Sequence, residues 1–415
     1  MCTNTTMAQS YGQRSEERSG ATPGGSDQSS ASMRGSSGGA SLRVVPSITG
    51  SQRYDSNVLL STQKLYDYVT NIRASTRVQY KDDLVDGAVT GGLVSEVYAR
   101  NPSLNYVGAD ASFSAILDQV VKRIVPGLGL RISDSVRYSP QQPAFLTPQA
   151  PVTSFTYGLQ AVRNNSIVNA ANILGEYAIT PLAHVNVSYS HQMMRFLNEA
   201  IPGLSGGLYN TTIQSLLVGP EYRIAPTQSI GVSYQYQQMS FEPSSGTAPG
   251  LTQIVQAATV KWTTLLTREL TAEISPGIAI VSSFSGGLEW TMNGRMQWSD
   301  GKTTAGLSYI RGASPGYYLA GSALINDTVT VSLAQNITNQ WSIFSQSNYA
   351  TGRALGGVTF KFESFGETIG VNYAFYPGMV AGVTATYNSF TFHQLGQETQ
   401  FDRQAFMLSL SAEWN

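Results

Sequence analysis

The side chains with chemistry to offer are few and poorly spaced for catalysis. Histidine occurs three times, at His184, His191 and His393. The first two are seven residues apart, which is not the spacing of adjacent ligands on one strand face, and a metal site needs convergent donors. The single cysteine, Cys2, excludes an intrachain disulfide and any site built from several thiolates. Serine is common, but a hydrolase needs a Ser, a His and an acid at one point, and nothing in the spacing gathers such a set. No glycine loop ends in the lysine that cradles a phosphate. The expectation is a chain that is not an enzyme and carries no metal and no cofactor.

What remains is charge, and there is little of it. Lys and Arg number 25 against 26 Asp and Glu, a formal net charge of -1, and charged residues make up only 12% of the chain, about half the usual share. A balance so close to zero gives no electrostatic case for nucleic acid. The positions are more informative than the total, because they alternate with apolar neighbours. Arg73, Arg77, Arg131, Arg137, Arg223, Lys261 and Arg295 fall on the opposite parity to the apolar residues around them. So do Glu176, Glu221, Glu273, Glu289 and Glu413. On a strand, opposite parity means opposite face. Four of the bases come from the first third of the alternating region and all five acids come later. That order predicts segregated walls around a common interior, with an uncompensated stretch of guanidinium groups at Arg73, Arg77, Arg131 and Arg137.

The elements that must position these side chains are strands. Ile230, Val232, Tyr234 and Tyr236 interleave with Gly231, Ser233, Gln235 and Gln237. Leu288, Trp290, Met292, Met296 and Trp298 oppose Glu289, Thr291, Asn293, Arg295 and Gln297 in the same way. The pattern returns at Ile369–Phe375 and at Phe406–Trp414. Period two means half-apolar strands, and no 3.6-residue period runs beyond two turns, so the chain reads as all-β. The expected strands are 42–54, 66–80, 85–100, 103–118, 123–138, 166–180, 183–197, 212–226 and 228–241. They continue at 254–266, 269–283, 286–298, 302–311, 326–336, 338–350, 363–376, 378–392 and 403–414. Ser154–Arg163 also alternates, but a strand there would exchange the short and long connections halfway along, so it is assigned to a loop.

These segments are long, well beyond the five or six residues of an average strand. Tight turns and longer polar loops join them alternately. Long strands with short turns at one end and long loops at the other predict a transmembrane antiparallel β-barrel of about 18 strands, within about 16 to 20; an even count suits a bacterial outer membrane. Charge on the lipid face at mid-depth would cost about 2–4 kcal/mol for Arg or Lys, which sends it to the lumen. No run approaches the ~20 apolar residues of a spanning helix. Residues 1–40 are a separate material, rich in Ser, Gly, Thr and Gln, and read as a flexible low-complexity tail before a barrel over 41–415. They contain no apolar core of a signal peptide.

Aromatic residues mark the other face. Tyr80, Trp262, Trp290, Trp298, Tyr309, Tyr373 and Trp414 share parity with the apolar residues, several of them near strand ends. There Tyr and Trp form the interfacial girdles of a barrel. Tyr209, Tyr317, Tyr318 and Phe145 fall instead in loops, where rings could stack on sugars.

Val45-Pro46-Ser47-Ile48 followed by Tyr54-Asp55-Ser56-Asn57-Val58 resembles the opening of a group of bacterial outer-membrane β-barrels associated with exopolysaccharide export. Tyr98 with Leu104-Asn105, Asp134-Ser135-Val136, Arg163-Asn164-Asn165 and Phe401-Asp402-Arg403 are similar to the same group. The final strand resembles a bacterial barrel insertion signal, though it ends Trp414-Asn415. The resemblance implies residence in outer-membrane lipid, insertion by the barrel assembly machinery, and a periplasmic export partner for a polymer. The residues alone imply a charged-lumen channel for a hydrophilic solute or polymer, crossed by diffusion or gated by infolded loops. The other readings are a non-conducting receptor barrel, a sheath around an electron carrier, and a mitochondrial porin or import pore.

Overall fold

The computed structural model describes residues 40–59, 64–141, 164–197, 209–243, 250–282, 287–316, 322–355, 360–394 and 397–414. Apart from Ala40, the tail lies outside them, as do Ser154–Arg163, Phe145, Tyr317 and Tyr318. Eighteen strands form one sheet. They are β1 (Ser41–Asp55), β2 (Asp67–Lys81), β3 (Asp86–Tyr98), β4 (Tyr106–Ile116), β5 (Leu128–Gln141) and β6 (Asn164–Thr180). Next come β7 (Ala183–Phe196), β8 (Tyr209–Ala225), β9 (Gln228–Pro243), β10 (Leu251–Leu265), β11 (Leu270–Ser282) and β12 (Leu288–Ser299). The last are β13 (Thr303–Gly316), β14 (Ser322–Asn336), β15 (Trp341–Ala354), β16 (Phe360–Tyr376), β17 (Met379–Gln394) and β18 (Gln397–Glu413).

Each strand pairs antiparallel with its sequence neighbours, and β18 pairs with β1 from Ser47↔Glu413 to Asp55↔Ala405. The sheet therefore closes, although β12 and β13 pair only from Met292↔Arg311 to Ser299↔Thr304. Closure matters because an open edge would leave backbone N–H and C=O groups unsatisfied in lipid.

Both ends of the barrel chain, Ser41 and Glu413, lie at the end that carries the tightest turns. There β2–β3, β6–β7, β8–β9 and β16–β17 are joined by four residues or fewer. The sharpest is Pro377–Gly378, where Gly378 adopts φ +79; a Cβ there would lie 2.3 Å from the Glu413 carbonyl oxygen. One connection at this end departs from expectation. Between β4 and β5 the chain forms a five-residue helix, α1 (Asp118–Lys122), where strands 103–118 and 123–138 were expected to run on. Asp118 accepts from the Leu130 backbone N–H at 2.9 Å, folding this turn back on β5. A 3-10 turn at Pro102–Leu104 likewise delays the start of β4.

The outer face is apolar over a belt. On β12, Trp290 and Trp298 are both exposed, eight residues apart. At about 3.3 Å per residue and a tilt of about 40°, that spacing spans roughly 20 Å, close to the apolar height of a membrane barrel. Some carboxylates break the rule that charge turns inward, Asp134 and Glu367 among them. By register Asp134 pairs with outward Phe113, and Glu367 with outward Tyr387. Each is satisfied locally: Asn169 donates to Asp134 at 2.7 Å, and Ser345 and Ser347 donate to Glu367. Neighbouring polar groups thus supply the hydrogen bonds that lipid would not.

Candidate functional site

Lumen and apolar collar

Inside the barrel, register decides which side chains meet. Arg73, Arg77, Arg131, Arg137, Arg223, Lys261 and Arg295 all sit on the interior parity of their strands, as do Glu176, Glu221, Glu273, Glu289 and Glu413. The expected segregation of their charges does not occur. Asp110 on β4 faces the same wall as the four early arginines; Arg73 Nη2 lies 2.7 Å from its Oδ2, and Arg137 is its cross-strand partner. Glu96 on β3 adds a second acid there, 6% exposed and taking hydrogen bonds from Asn71 and Tyr98. Four bases therefore face two acids, not none. Among the described residues Arg77 and Arg137 make no ion pair; Arg77 donates to the Gln79 amide oxygen at 3.1 Å.

Across the lumen the later charges form a ladder near the short-turn end. Lys261 Nζ stands 3.6 Å from Glu221 and 3.5 Å from Glu273. His184 Nε2 approaches Glu221 at 3.6 Å and Ser229 donates to it at 2.6 Å. Arg295 is the cross-strand partner of Glu273. His184 thus serves an ion network, whereas His191 pairs with outward Ala171 and His393 sits by Glu398 at the long-loop end. The three histidines do not converge.

The aromatic residues occupy the outer face. Tyr80, Trp262, Trp298 and Trp414 are exposed toward the short-turn end and Trp290 toward the other. Tyr373 stacks on Trp341 at 4.5 Å, and the Tyr309 hydroxyl donates to Asp327 at 2.5 Å. Tyr309 is held by a carboxylate, so its ring is fixed more firmly than an interfacial anchor needs. Loop Tyr209 packs in the interior beside Ile213 and Phe241, not in a solvent loop.

Toward the long-loop end the interior changes character. Ile213, Met239, Phe241, Val255, Ala279 and Val281 from β8–β11 form an apolar cluster with Ala323 and Ile325 of β14. A second cluster joins Leu324 to Phe360, Phe362, Phe390 and Phe401, with stacked rings 5.2–5.9 Å apart. Val58, Val69 and Tyr98 make a third beside β1–β3. Together they form an apolar collar above a polar lumen. The β14 contribution requires infolding, because β10 and β14 are four strands apart, about 19 Å along the wall. Yet the Ala323 backbone N–H donates to Gln253 of β10 at 2.8 Å. β13 pairs with β12 only as far as Met292↔Arg311 and then leaves it. Arg311 fills the split: it donates to the Trp290 carbonyl at 3.2 Å, lies 4.3 Å from that indole, and bridges Glu289 and Asp327. Arg353 reaches the same Glu289.

No family model matches the chain, and no curated protein matches it. Solved structures of similar outline exist. One is the outer membrane protein OpdK of Pseudomonas aeruginosa, at 11% identity and TM-score 0.46, covering 90% of this chain and 99% of that one. OccK2 (OpdF) of the same organism gives 10%, 0.45, 90% and 98%. A mutant of its ferric enterobactin receptor PfeA gives 7%, 0.45, 90% and 80%. At these identities and scores nothing about a solute follows from the likeness.

Sequence reasoning missed Asp110, Glu96, Arg311, Asp327 and Arg353. The alternation of Asp110 was visible, but its partner depended on a strand-to-strand register that one sequence does not encode. For Arg311 and Arg353, parity pointed outward; the infolding of β13–β15 turns them in.

Proposed function

We propose that the chain is a gated channel of the bacterial outer membrane that passes small hydrophilic solutes. The observation that carries this is the division of one closed barrel into a charged, polar lumen and an apolar collar. A structural barrel has no need of a hydrated, ion-lined interior; a freely open pore has no need of the collar. Apolar constrictions gate by excluding water, and the infolded β13–β14 hairpin is the element that would move. The even strand number and the two chain ends at the short-turn side support an outer-membrane setting, with assembly by the machinery that inserts such barrels.

The export reading that the resemblance implies would need a wide continuous path and a periplasmic partner. The collar favours small solutes over a polymer. A single experiment separates the readings: conductance of the purified, folded chain in planar bilayers. Discrete openings between a closed and an open level support the gated channel. Silence under all voltages would favour a receptor or sheath, and a large permanently open level would favour polymer passage.

A further inference from the structure

Beneath the collar, between the inner wall of β7–β12 and the infolded β13–β14 hairpin, lies a cavity of about 340 Å³. Resting on the channel reading, we propose that this cavity is a binding site for an uncharged, polyhydroxylated solute of mono- or disaccharide size. Its volume lies within the range of roughly 300–1,000 Å³ typical of small-molecule sites.

The lining selects the chemistry. Gln235, Gln237, Thr259, Thr291, Asn293 and Asn326 face it. Amides and hydroxyls both donate and accept, which matches a solute whose every hydroxyl does the same. Two of these groups hold unused capacity: among the described residues, buried Thr291 Oγ1 and Asn326 Oδ1 have no hydrogen-bond partner. Asn326 is 7% exposed, and its amide nitrogen is already committed to Ser314. A buried unpaired group is costly; a ligand hydroxyl in the cavity would relieve Thr291 Oγ1, whereas Asn326 Oδ1 turns away toward Gly352.

The charges select against ions. Lys261 lies between Glu221 and Glu273, and Arg311 between Glu289 and Asp327. Arg295 faces Glu273 across the strands and Arg353 reaches Glu289. The two bases that line the cavity, Lys261 and Arg311, are thus both engaged by acids, and its two lining acids, Glu221 and Glu273, both meet Lys261, so a charged solute would find each counter-charge engaged. Burying an ion without a partner is strongly unfavourable. On the remaining side Ile213, Val255, Ala279 and Ile310 offer an apolar surface for the C–H faces of a sugar ring. No aromatic side chain is among the described lining residues, so the grip lacks a stacking platform and release stays fast, as passage through a channel requires.

The test uses the full chain in detergent, with folding checked by faster gel migration before boiling. Binding of maltose is measured by equilibrium dialysis, beside gluconate and glucosamine as charged probes. Maltose should bind, and Thr291→Val and Asn293→Ala should each weaken it about three- to tenfold while the barrel stays folded. In bilayers maltose should interrupt the ion current, and the same variants should lessen that block in proportion. Equal or tighter binding of gluconate or glucosamine would overturn the assignment, as would maltose binding unchanged in both variants. Conductance without any maltose binding would sink this site and leave the channel standing. Maltose binding without conductance would sink the channel and leave the site.

Discussion

Asp110 controls how much of the arginine wall a permeating ion feels. It neutralises Arg73 directly and lies beside Arg137, so the intact lumen should show only slight anion preference. Asp110→Asn removes the carboxylate paired with Arg73 while keeping the shape. Its reversal potential under a salt gradient should move toward anion selectivity, and the shift should fade toward ~1 M salt, where the Debye length is about 3 Å. An unchanged reversal potential would mean that ions do not pass this wall. A second residue-scale case is the seam between β18 and β1. Fully buried Asp55 takes Arg403 Nε at 3.0 Å and the Asn57 backbone N–H at 3.1 Å, and Asn57 in turn donates to the Asp402 carbonyl at 3.1 Å. Removing one partner of a buried pair costs about 3–5 kcal/mol. Arg403→Ala should fall near the low end, since Arg53 stands 3.5 Å from the same carboxylate, and urea titration followed by gel mobility would read it. In the β12–β13 turn, backbone N–H groups of Thr303 and Lys302 hold the Asp300 carboxyl below its ordinary value of 3.8. A lowered pKa stabilises the fold above the ordinary value and loses that contribution as pH falls through the folded one. The urea unfolding midpoint of Asp300→Asn should therefore fall less on acidification than that of the parent chain.

Strands were the most legible elements, because alternation needs only local information. The period-two runs at Ile230–Gln237 and Leu288–Trp298 specify β9 and β12 within a few residues, and the parity of Arg73 or Lys261 specifies its face. What alternation does not carry is register. It predicted that the early arginines stand alone, whereas the pairing of β4 with β5 brings Asp110 opposite Arg137. Nor does it carry departures from a cylinder. Asp327 has outward parity on β14, yet the hairpin folds and it meets Arg311 inside. Short helices such as α1 escape because five residues make little more than one turn, too few to display a 3.6-residue period. The resemblance motifs show the reverse case: Tyr54–Val58, Tyr98, Leu104-Asn105 and Phe401–Arg403 are scattered in sequence and gather at the β18–β1–β3 seam. They carry the family resemblance, and their geometry is that of closure. At this scale, deleting Phe406–Asn415 removes the Phe406–Glu413 half of β18, including every β18 partner of Ser47 to Tyr54. The truncated chain should fail to become heat-modifiable or to enter membranes, because β1 and β17 would keep exposed edges. Normal assembly would contradict the closure by β18.

At the scale of the whole barrel, the outer belt fixes depth and the inner division fixes what can pass. Charges of both signs line the half nearer the short turns, while in the other half the ion pairs of Asp55 with Arg403 and of Arg311 with Glu289 and Asp327 are closed among apolar side chains. The collar fills the other half with side chains such as Phe241, Phe362 and Met239, each 2% exposed or less. A hydrophilic solute leaving the polar half would have to shed its water against these groups, so passage requires the collar to part. The place for it to part is the contact between β14 and β10, which among the described residues rests on one hydrogen bond from a backbone N–H to a side-chain amide and on an apolar cluster. The β12–β13 split above Arg311 frees the hairpin on its other side. Gln253→Cys with Ala323→Cys, in a chain whose native Cys2 is replaced by Ser, places two thiols at that contact. Oxidation should lower the open probability in planar bilayers, and reductant should restore it within the same recording. Each single cysteine variant should gate as the parent does. If the oxidised pair opened as often as the reduced one, the hairpin would be a fixed wall, and the moving part of the gate would have to lie in another sector of the collar.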